Sequence, residues 1–514
     1  MKKIIIFLIL IIAIGSVFRL WQINEIPPGI YPDEAINANQ GWEASKTGEY
    51  QVFYPENHGR EGLFINLIGL SFSTFGTSIV SFKAVSIFFG ILTVLGMFLL
   101  TNEILIPIVS KKERRFTALL SSFLLATSFW HINFSRIGFR AIMLPFVLTF
   151  SFYFLFKGLR KKSKTSFILG GIIYGIGFHT YISFRLSVLL LAVMILSWMY
   201  IYFKKKELKK FFSLGLYFVI PAIIVALPIG IYFLQNPQDF ISRAAPISVF
   251  AQESPVKAFI ISLVKHLAMF NIYGDPNWRH NFATCPMLPI SLGVAFLIGI
   301  GFSIKKIFSL IKNKSLISAN SLLLLIIWFF VMLLPGVLTY EGLPHALRVI
   351  GVIPVIYIFT SIGFWYLYRI IKENFNKAIP IILILVILLS SASFEINRYF
   401  FDWGKREETK SAFNQSFMET GIFLNNLPEK AKKYVIKNEG ELPAETAIFI
   451  QRCAQKGEKT LYIQPDRIKE IKKGPEETII VFMRKDENLL NKTKILFPQG
   501  EFKEENNIYT YIIK

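Results

Sequence analysis

The sequence predicts a polytopic α-helical membrane protein of about eleven transmembrane helices, with an external soluble α/β domain at its C-terminal end. Three observations predict it. The chain of 514 residues is 53% hydrophobic with 51 Phe and a mean hydropathy of +0.49, which does not suit a soluble surface. Apolar windows long enough to cross about 30 Å of hydrocarbon recur along the first four-fifths of the chain. Hydrophobicity then falls sharply after "LILVILLSSASF".

The apolar windows centre near residues 12, 90, 123, 149, 174, 194, 222, 296, 328, 358 and 386. Backbone polar groups in lipid must be satisfied internally, so each window is expected to be a helix. "GLFINLIGLSFSTFG" (62–76) is apolar but too short to span comfortably, and it suits an interfacial or re-entrant helix. "AIG" (13–15) loosely resembles a signal-peptide cleavage site. The aromatic and basic interfacial edge "VFRLWQI" and the many later spans favour an uncleaved first helix.

The net charge of +22 could suggest nucleic acid, but its placement argues for topology instead. Lys2 and Lys3, then 111–115, 157–164, 204–210, 305–314 and 369–377, hold 23 basic residues in alternate loops. The segment 21–61 has only Lys46 and Arg60 against seven acids. The positive-inside rule then puts the N-terminus in the cytoplasm of a cell (plasma) membrane protein and the C-terminal domain outside. The excess charge meets anionic membrane lipid, and no nucleic acid is implied.

Residues 1–394 are expected to form the membrane domain, with large external loops at 21–80 and 234–286. Residues 395–514 read as a soluble domain of ordinary size. Its runs "KYVIK", "TLYIQ", "TIIVFM" and "IYTYII" are strand-like and alternate with "SAFNQSFMETGIFLNNL" and "AETAIFIQRCAQ", which are helix-like. Cys285 and Cys453 are too few for a disulfide framework and are expected as free thiols.

Under this topology the polar residues that are not cytoplasmic charge gather at the external helix ends. They lie in "YPDEA" (31–35), "ENHGREGL" (56–63), "HINFSRIGFR" (131–140), "HTYISFR" (179–185), "IYGDPNWRHN" (272–281) and "EGLPHALR" (341–348). Acids, arginines and histidines from separate loops on one face are what a site at a membrane surface requires. Each also has a simpler role open to it. Asp33 could cap a helix, Arg60-Glu61 could be a structural ion pair, and Arg136 or Arg140 could anchor at lipid headgroups. His179 and Arg185 could satisfy backbone near a helix end, and Asp275 could cap a turn.

No nucleotide-binding glycine pattern, G-x-S-x-G or H-E-x-x-H occurs, so ATP-driven transport and ordinary hydrolase chemistry lose weight. No cofactor is expected. A divalent cation is left open, because no His/Asp/Glu group has ligand spacing within one element. Transfer of a group from a lipid-linked donor fits best. A sugar on a polyprenyl phosphate presents its anomeric carbon at headgroup level. Asp33 could take the proton of a hydroxyl acceptor there, while arginines hold the departing phosphate.

The paired acids of "YPDEA", followed by "GREGL", "SRIGFR", "HTYISFR", "GDPNWRHN" with "PML", and "EGLPHALRVIGVIP", resemble the membrane-integral glycosyltransferases of the C superfamily (GT-C). Within it the chain is most similar to family 39, which includes the protein O-mannosyltransferases and the lipid A aminoarabinose transferase, and to its prokaryotic members of unassigned acceptor. The resemblance covers roughly residues 1–360. It implies a GT-C-like fold, inverting transfer from polyprenyl-monophosphate sugars, and Asp33 as catalytic base with Glu34 beside it. It departs from the eukaryotic members, which carry extra soluble domains in a luminal loop.

The sites expected on this reading are Asp33 and Glu34 for catalysis, and Arg140 and Arg348 for the donor phosphate, joined by Arg136, Arg185 and Arg60. His58, Glu61, His179, Tyr181, Asp275, Arg279, His280 and His345 are the remaining substrate-binding candidates. A transporter or flippase of a lipid-linked saccharide is the rival, and it would place polar groups in mid-membrane broken helices. A scaffold presenting the external domain would need none of these acids and arginines.

Overall fold

A computed structural model of the protein describes residues 2–241, 247–376, 378–455, 459–474, 476–505 and 507–514. Residues 242–246 of the expected loop 234–286, and Lys377 of the basic loop 369–377, lie outside the described residues. All eleven apolar windows are helical. Among the described residues, nine helices are long and apolar enough to cross a membrane: Lys2–Leu20, Ile79–Ile104, Arg140–Lys161, Ile182–Lys204, Leu208–Gln235, Ile290–Lys312, Leu316–Val337, Ile350–Asn374 and Ala378–Lys405. The windows near 123 and 174 fall on shorter helices, Lys111–Thr127 and Lys164–Gly177. Leu63–Phe75 is an apolar helix of 13 residues, about 20 Å long and short of a full crossing.

The chain divides into two compact units. The first comprises Met1–Trp21, Gln51–Phe64 and Ser86–Trp403, and the second Gln22–Tyr50, Ile65–Val85 and Gly404–Lys514.

In the first unit the helix ends follow local chemistry. Ser110 accepts the Glu113 amide while Glu113 accepts the Ser110 amide, a reciprocal cap that starts Lys111–Thr127. Lys162 ends the span Arg140–Lys161 with a left-handed φ of 54°. Helices in lipid gain no hydrophobic energy from meeting, so close backbone approach matters. A Cβ at Gly299 would fall 1.9 Å from the Phe359 carbonyl oxygen, and one at Gly363 1.9 Å from that of Ala295, so these glycines let two spans touch along their backbones.

Arg19, expected at an interfacial edge, is instead fully buried. Its guanidinium donates to the Gly15 and Ala126 carbonyls at 2.8 and 3.1 Å, to Ser135 Oγ at 3.2 Å and to His131 Nδ1 at 2.6 Å. Four acceptors make a buried cation tolerable and tie the first helix to two others. Trp21, two residues on, supplies the exposed aromatic edge and packs on Phe400 and Phe401.

The second unit is built on a five-stranded sheet. Its strands follow the two-stranded ribbon β1 (Phe53–Tyr54) and β2 (Arg60–Glu61) of the first unit in chain order: β3 (Lys432–Ile436), β4 (Thr460–Ile463), β5 (Thr478–Phe482), β6 (Glu501–Glu505) and β7 (Ile508–Ile513), in spatial order β4-β3-β5-β7-β6. β3 runs parallel to β4 and β5, whereas β7 is antiparallel to β5 and β6. Alternation along β3 and β5 feeds two cores: Tyr434, Ile436, Ile480 and Phe482 on one face, Val435, Ile479 and Val481 on the other. The helix Pro32–Thr47 belongs to this unit and is stitched to Glu441–Cys453. Asn39 Nδ2 donates to the Glu445 carbonyl, Arg452 Nη1 to the Asn39 carbonyl and Thr446 Oγ1 to the Ile30 carbonyl. Cys285 and Cys453 are free thiols, and burial pushes the Cys453 thiol up to about 12.

Candidate active site

Asp33 and Glu34 open the helix Pro32–Thr47 in the second unit. Pro32 takes the first helical position and Tyr31 the capping position, so Asp33 is not the helix cap. The capping falls to Glu34, whose Oε1 accepts the Tyr31 amide at 3.2 Å and whose side chain is buried. Asp33 is half-buried one residue earlier. The two adjacent acids therefore differ in role, which spacing alone could not reveal.

In the first unit a charged cluster forms around Glu61 on β2. Arg140 Nε donates to Glu61 Oε2 at 2.8 Å, and Arg185 Nη2 lies 3.7 Å from Oε1. The Glu61 carboxylate is 3% exposed and the Arg140 side chain 8%, so this pair is desolvated. Arg185 also donates to the Phe240 carbonyl at 2.7 Å and stacks on Phe233 and Phe240, while Arg140 lies over the Tyr181 ring. Arg60, next to Glu61 on β2, is buried. His179 donates from Nε2 to the Val225 carbonyl at 2.8 Å, and burial holds its pKa below the usual value. The structure thus brings Glu61, Arg140, Tyr181 and Arg185 together. His58 sits exposed in the turn between β1 and β2 with a left-handed φ of 63°.

A second polar group in the same unit joins two loops. Asp275 Oδ1 accepts the Asn277 amide at 2.8 Å, while Oδ2 accepts the Ala346 amide at 2.6 Å and His280 Nδ1–H at 3.0 Å. His280 and His345 have ring centroids 4.8 Å apart. His266 donates from Nδ1 to the Ser262 carbonyl and accepts the His345 amide on Nε2, which fixes its neutral tautomer. Burial lowers the His266 pKa to about 4 and holds that of His345 well below the usual value.

Ligand atoms of Asp275, His280 and His345 all lie within 4.8 Å of one another, an assembly from separate loops that sequence spacing did not reveal. Both Asp275 oxygens already accept protein N–H groups, and His345 Nδ1 accepts the Arg348 amide at 3.4 Å. An ion at the Asp275 oxygens would have to share them with these N–H groups. The donor set fits a hydrogen-bonded tie at least as well as a metal centre.

Two expected phosphate ligands are engaged elsewhere. Arg348 pairs with Glu341 and donates to Thr339 Oγ1 at 2.9 Å. Arg136 is fully buried, donates to the Phe18 carbonyl at 2.9 Å and lies over the rings of Tyr399 and Phe400. Arg279, half-buried, offers its carbonyl to Asn133 Nδ2 at 2.7 Å. Sequence reading missed the buried Arg19–His131–Ser135 group. The signal was available, because an arginine inside a predicted span demands partners.

The family model for dolichyl-phosphate-mannose-protein mannosyltransferase matches residues 61–242. Comparison with curated proteins finds no match. Among solved structures, the chain is similar to ArnT from Cupriavidus metallidurans bound to undecaprenyl phosphate, with 11% identity, TM-score 0.54 and coverage of 99% of this chain and 98% of that one. It is also similar to the oligosaccharyltransferase of Archaeoglobus fulgidus solved with Zn and sulfate, with 12% identity, TM-score 0.53 and coverage of 98% and 72%. A further structure of that organism's AglB, with an inhibitory peptide and a dolichol-phosphate, has 12% identity, TM-score 0.50 and coverage of 99% and 74%. At these identities the likeness is one of fold.

Proposed function

We propose that this integral membrane protein, which has the GT-C fold and matches a protein-mannosyltransferase family model over 61–242, is an inverting glycosyltransferase using a polyprenyl-phosphate-linked sugar. Asp33 removes the acceptor hydroxyl proton as that oxygen attacks the anomeric carbon. The bond from that carbon to phosphate oxygen breaks, and polyprenyl phosphate leaves with the electron pair. Arg140, with Arg185 and Arg60, binds the phosphate. The observation that carries this reading is the convergence of Arg140 and Arg185 on the single buried carboxylate of Glu61. One acid orients two cations whose planar donor forks suit an oxyanion leaving group.

On this proposal residues 1–394 form the transferase domain and 395–514 an external domain, with the N-terminus cytoplasmic and the acceptor presented from outside. Purified protein incubated with a panel of labelled polyprenyl-phosphate sugars and hydroxyl acceptors tests it. Transfer with inversion from one donor supports the reading; failure with every donor, alongside lipid-saccharide movement across vesicles, would replace it with the transporter.

A further inference from the structure

The chemistry proposed above leaves the opposite end of the first unit unused, where the turns after Arg140–Lys161 and Ile182–Lys204 come together. These are the basic loops 157–164 and 204–210, which lie far apart in sequence. Together they wall a cavity of about 310 Å³ whose polar lining includes Arg160, Lys162, Lys205, Glu103, Glu207 and Ser321. Both acids already have cations. Glu103 receives two hydrogen bonds from Arg160, from Nε and Nη2, and Glu207 lies 3.6 Å from Lys210 Nζ. Lys162 and Lys205 are exposed and add positive charge beyond those two pairs.

The cavity does not stop at the polar end. Leu159, Trp198 and Tyr202 line both it and an adjoining apolar groove formed by Phe167, Met194, Leu214 and Phe218. The Leu208–Gln235 helix bordering this groove is only 22% buried over its apolar window, which leaves most of its apolar surface for hydrocarbon. At the junction sits Trp198, 6% exposed, whose indole Nε1–H has no hydrogen-bond partner among the described residues. A buried donor left unmade is costly, and such a group calls for an acceptor from outside the chain.

We propose that this is a binding site for an anionic glycerophospholipid of the leaflet that the basic loops face. The phosphate sits in the cavity beside Lys162 and Lys205 and accepts the Trp198 N–H, and an acyl chain lies along the groove. An aromatic belt residue would also place a tryptophan at this depth, but it would need neither the cavity nor the excess cations. Inorganic phosphate offers the same head chemistry without the chain, so a two-part site should hold it far more weakly than the lipid.

The test measures lipid retention on the full-length protein in detergent by native mass spectrometry, with phosphatidylglycerol, phosphatidylcholine, a polyprenyl phosphate and inorganic phosphate as probes. Phosphatidylglycerol should bind the wild type at least about tenfold tighter than phosphatidylcholine. Lys162→Gln with Lys205→Gln should weaken phosphatidylglycerol roughly 30-fold, about fivefold per charge, and leave phosphatidylcholine unchanged. Trp198→Phe should weaken both lipids about tenfold by removing a charge-assisted hydrogen bond. The lysine variants are on exposed turns, so an effect of Trp198→Phe on folding would not blur their result. Equal retention of the two phospholipids, an affinity within twofold in the double lysine variant, or preference for polyprenyl phosphate would each overturn the proposal. Donor transfer is read separately, so a failed lipid site leaves the transferase reading intact, and the converse holds.

Discussion

The Glu61–Arg140–Arg185 cluster and the Asp275–His280–His345–His266 group each gather ionisable side chains around one buried carboxylate and lie in the same unit. Their hydrogen bonds separate them. In the first, one carboxylate faces two guanidiniums. In the second, one carboxylate accepts three N–H groups from two loops, and burial holds the pKa values of His266 and His345 below the usual value, so no cation is in excess of the acid there. On the proposed reading the first meets the donor phosphate, whereas the second holds two loops in register. Charged side chains on one membrane face are therefore a necessary sign of a site but not a sufficient one, and counting donors against acceptors decides.

The largest expected effect tests whether either group supplies the base. If Asp33 does, Asp33→Asn should lower single-turnover transfer by roughly 10²–10⁴-fold with donor affinity kept, the usual contribution of general-base catalysis. His345→Asn, in the neutral group, should leave turnover per folded molecule near normal. The reverse pattern would make a histidine the base and erase the contrast between the clusters. Since Asp33 is not the helix cap, a loss of transfer in Asp33→Asn has no capping explanation.

Next comes the phosphate end. Arg140→Ala should raise the donor KM roughly 10–100-fold through loss of a charge-assisted contact, and it should also destabilise the fold by leaving Glu61 buried without its closest cation. Adding Glu61→Gln should recover stability but not donor affinity. An unchanged KM in a well-folded Arg140→Ala protein would demote this cluster to a structural pair.

For the neutral group the expected effect is on stability. Asp275→Asn keeps the shape but turns one acceptor into a donor facing other donors, at a cost of about 1–3 kcal/mol read as a lower thermal midpoint. Chelation should leave transfer unchanged. Activity lost to a chelator and restored by added zinc would instead make Asp275, His280 and His345 a metal centre.

How much of this was legible depended on which forces act locally. Apolar windows report burial in lipid directly, so every span was visible, as were four of the five C-terminal strands. β6 was not, because "EFKEE" is a charged, exposed edge strand whose pattern carries no buried face. The helix Glu487–Leu496 was also missed, its apolar face limited to residues such as Leu489 and Leu490. Site residues could be collected by side and type, but their grouping could not be read. Arg348 turns to Glu341 and Arg136 to aromatic rings, choices fixed by tertiary packing and invisible in spacing. The inclusion of 22–50 in the same compact unit as 404–514 is likewise a product of long-range hydrogen bonds such as that from Thr446 to Ile30.

The smallest expected effect divides the two acids of "YPDEA". Glu34 accepts the Tyr31 amide from the third helical position, where glutamine serves as well as glutamate. Glu34→Gln should therefore keep the cap and weaken the favourable interaction of charge with the helix N-terminus, by less than about 1 kcal/mol. Glu34→Ala removes the carboxylate that accepts the Tyr31 amide and should cost about 1–2 kcal/mol. Both should transfer sugar at close to the wild-type rate once folded, since the cap positions the helix and takes no proton. Thermal denaturation beside single-turnover transfer for Gln and Ala at this position provides the measurement. A fall in transfer for Glu34→Gln as deep as that for Asp33→Asn, at unchanged stability, would mean that the pair shares the proton and that the division between cap and base is wrong.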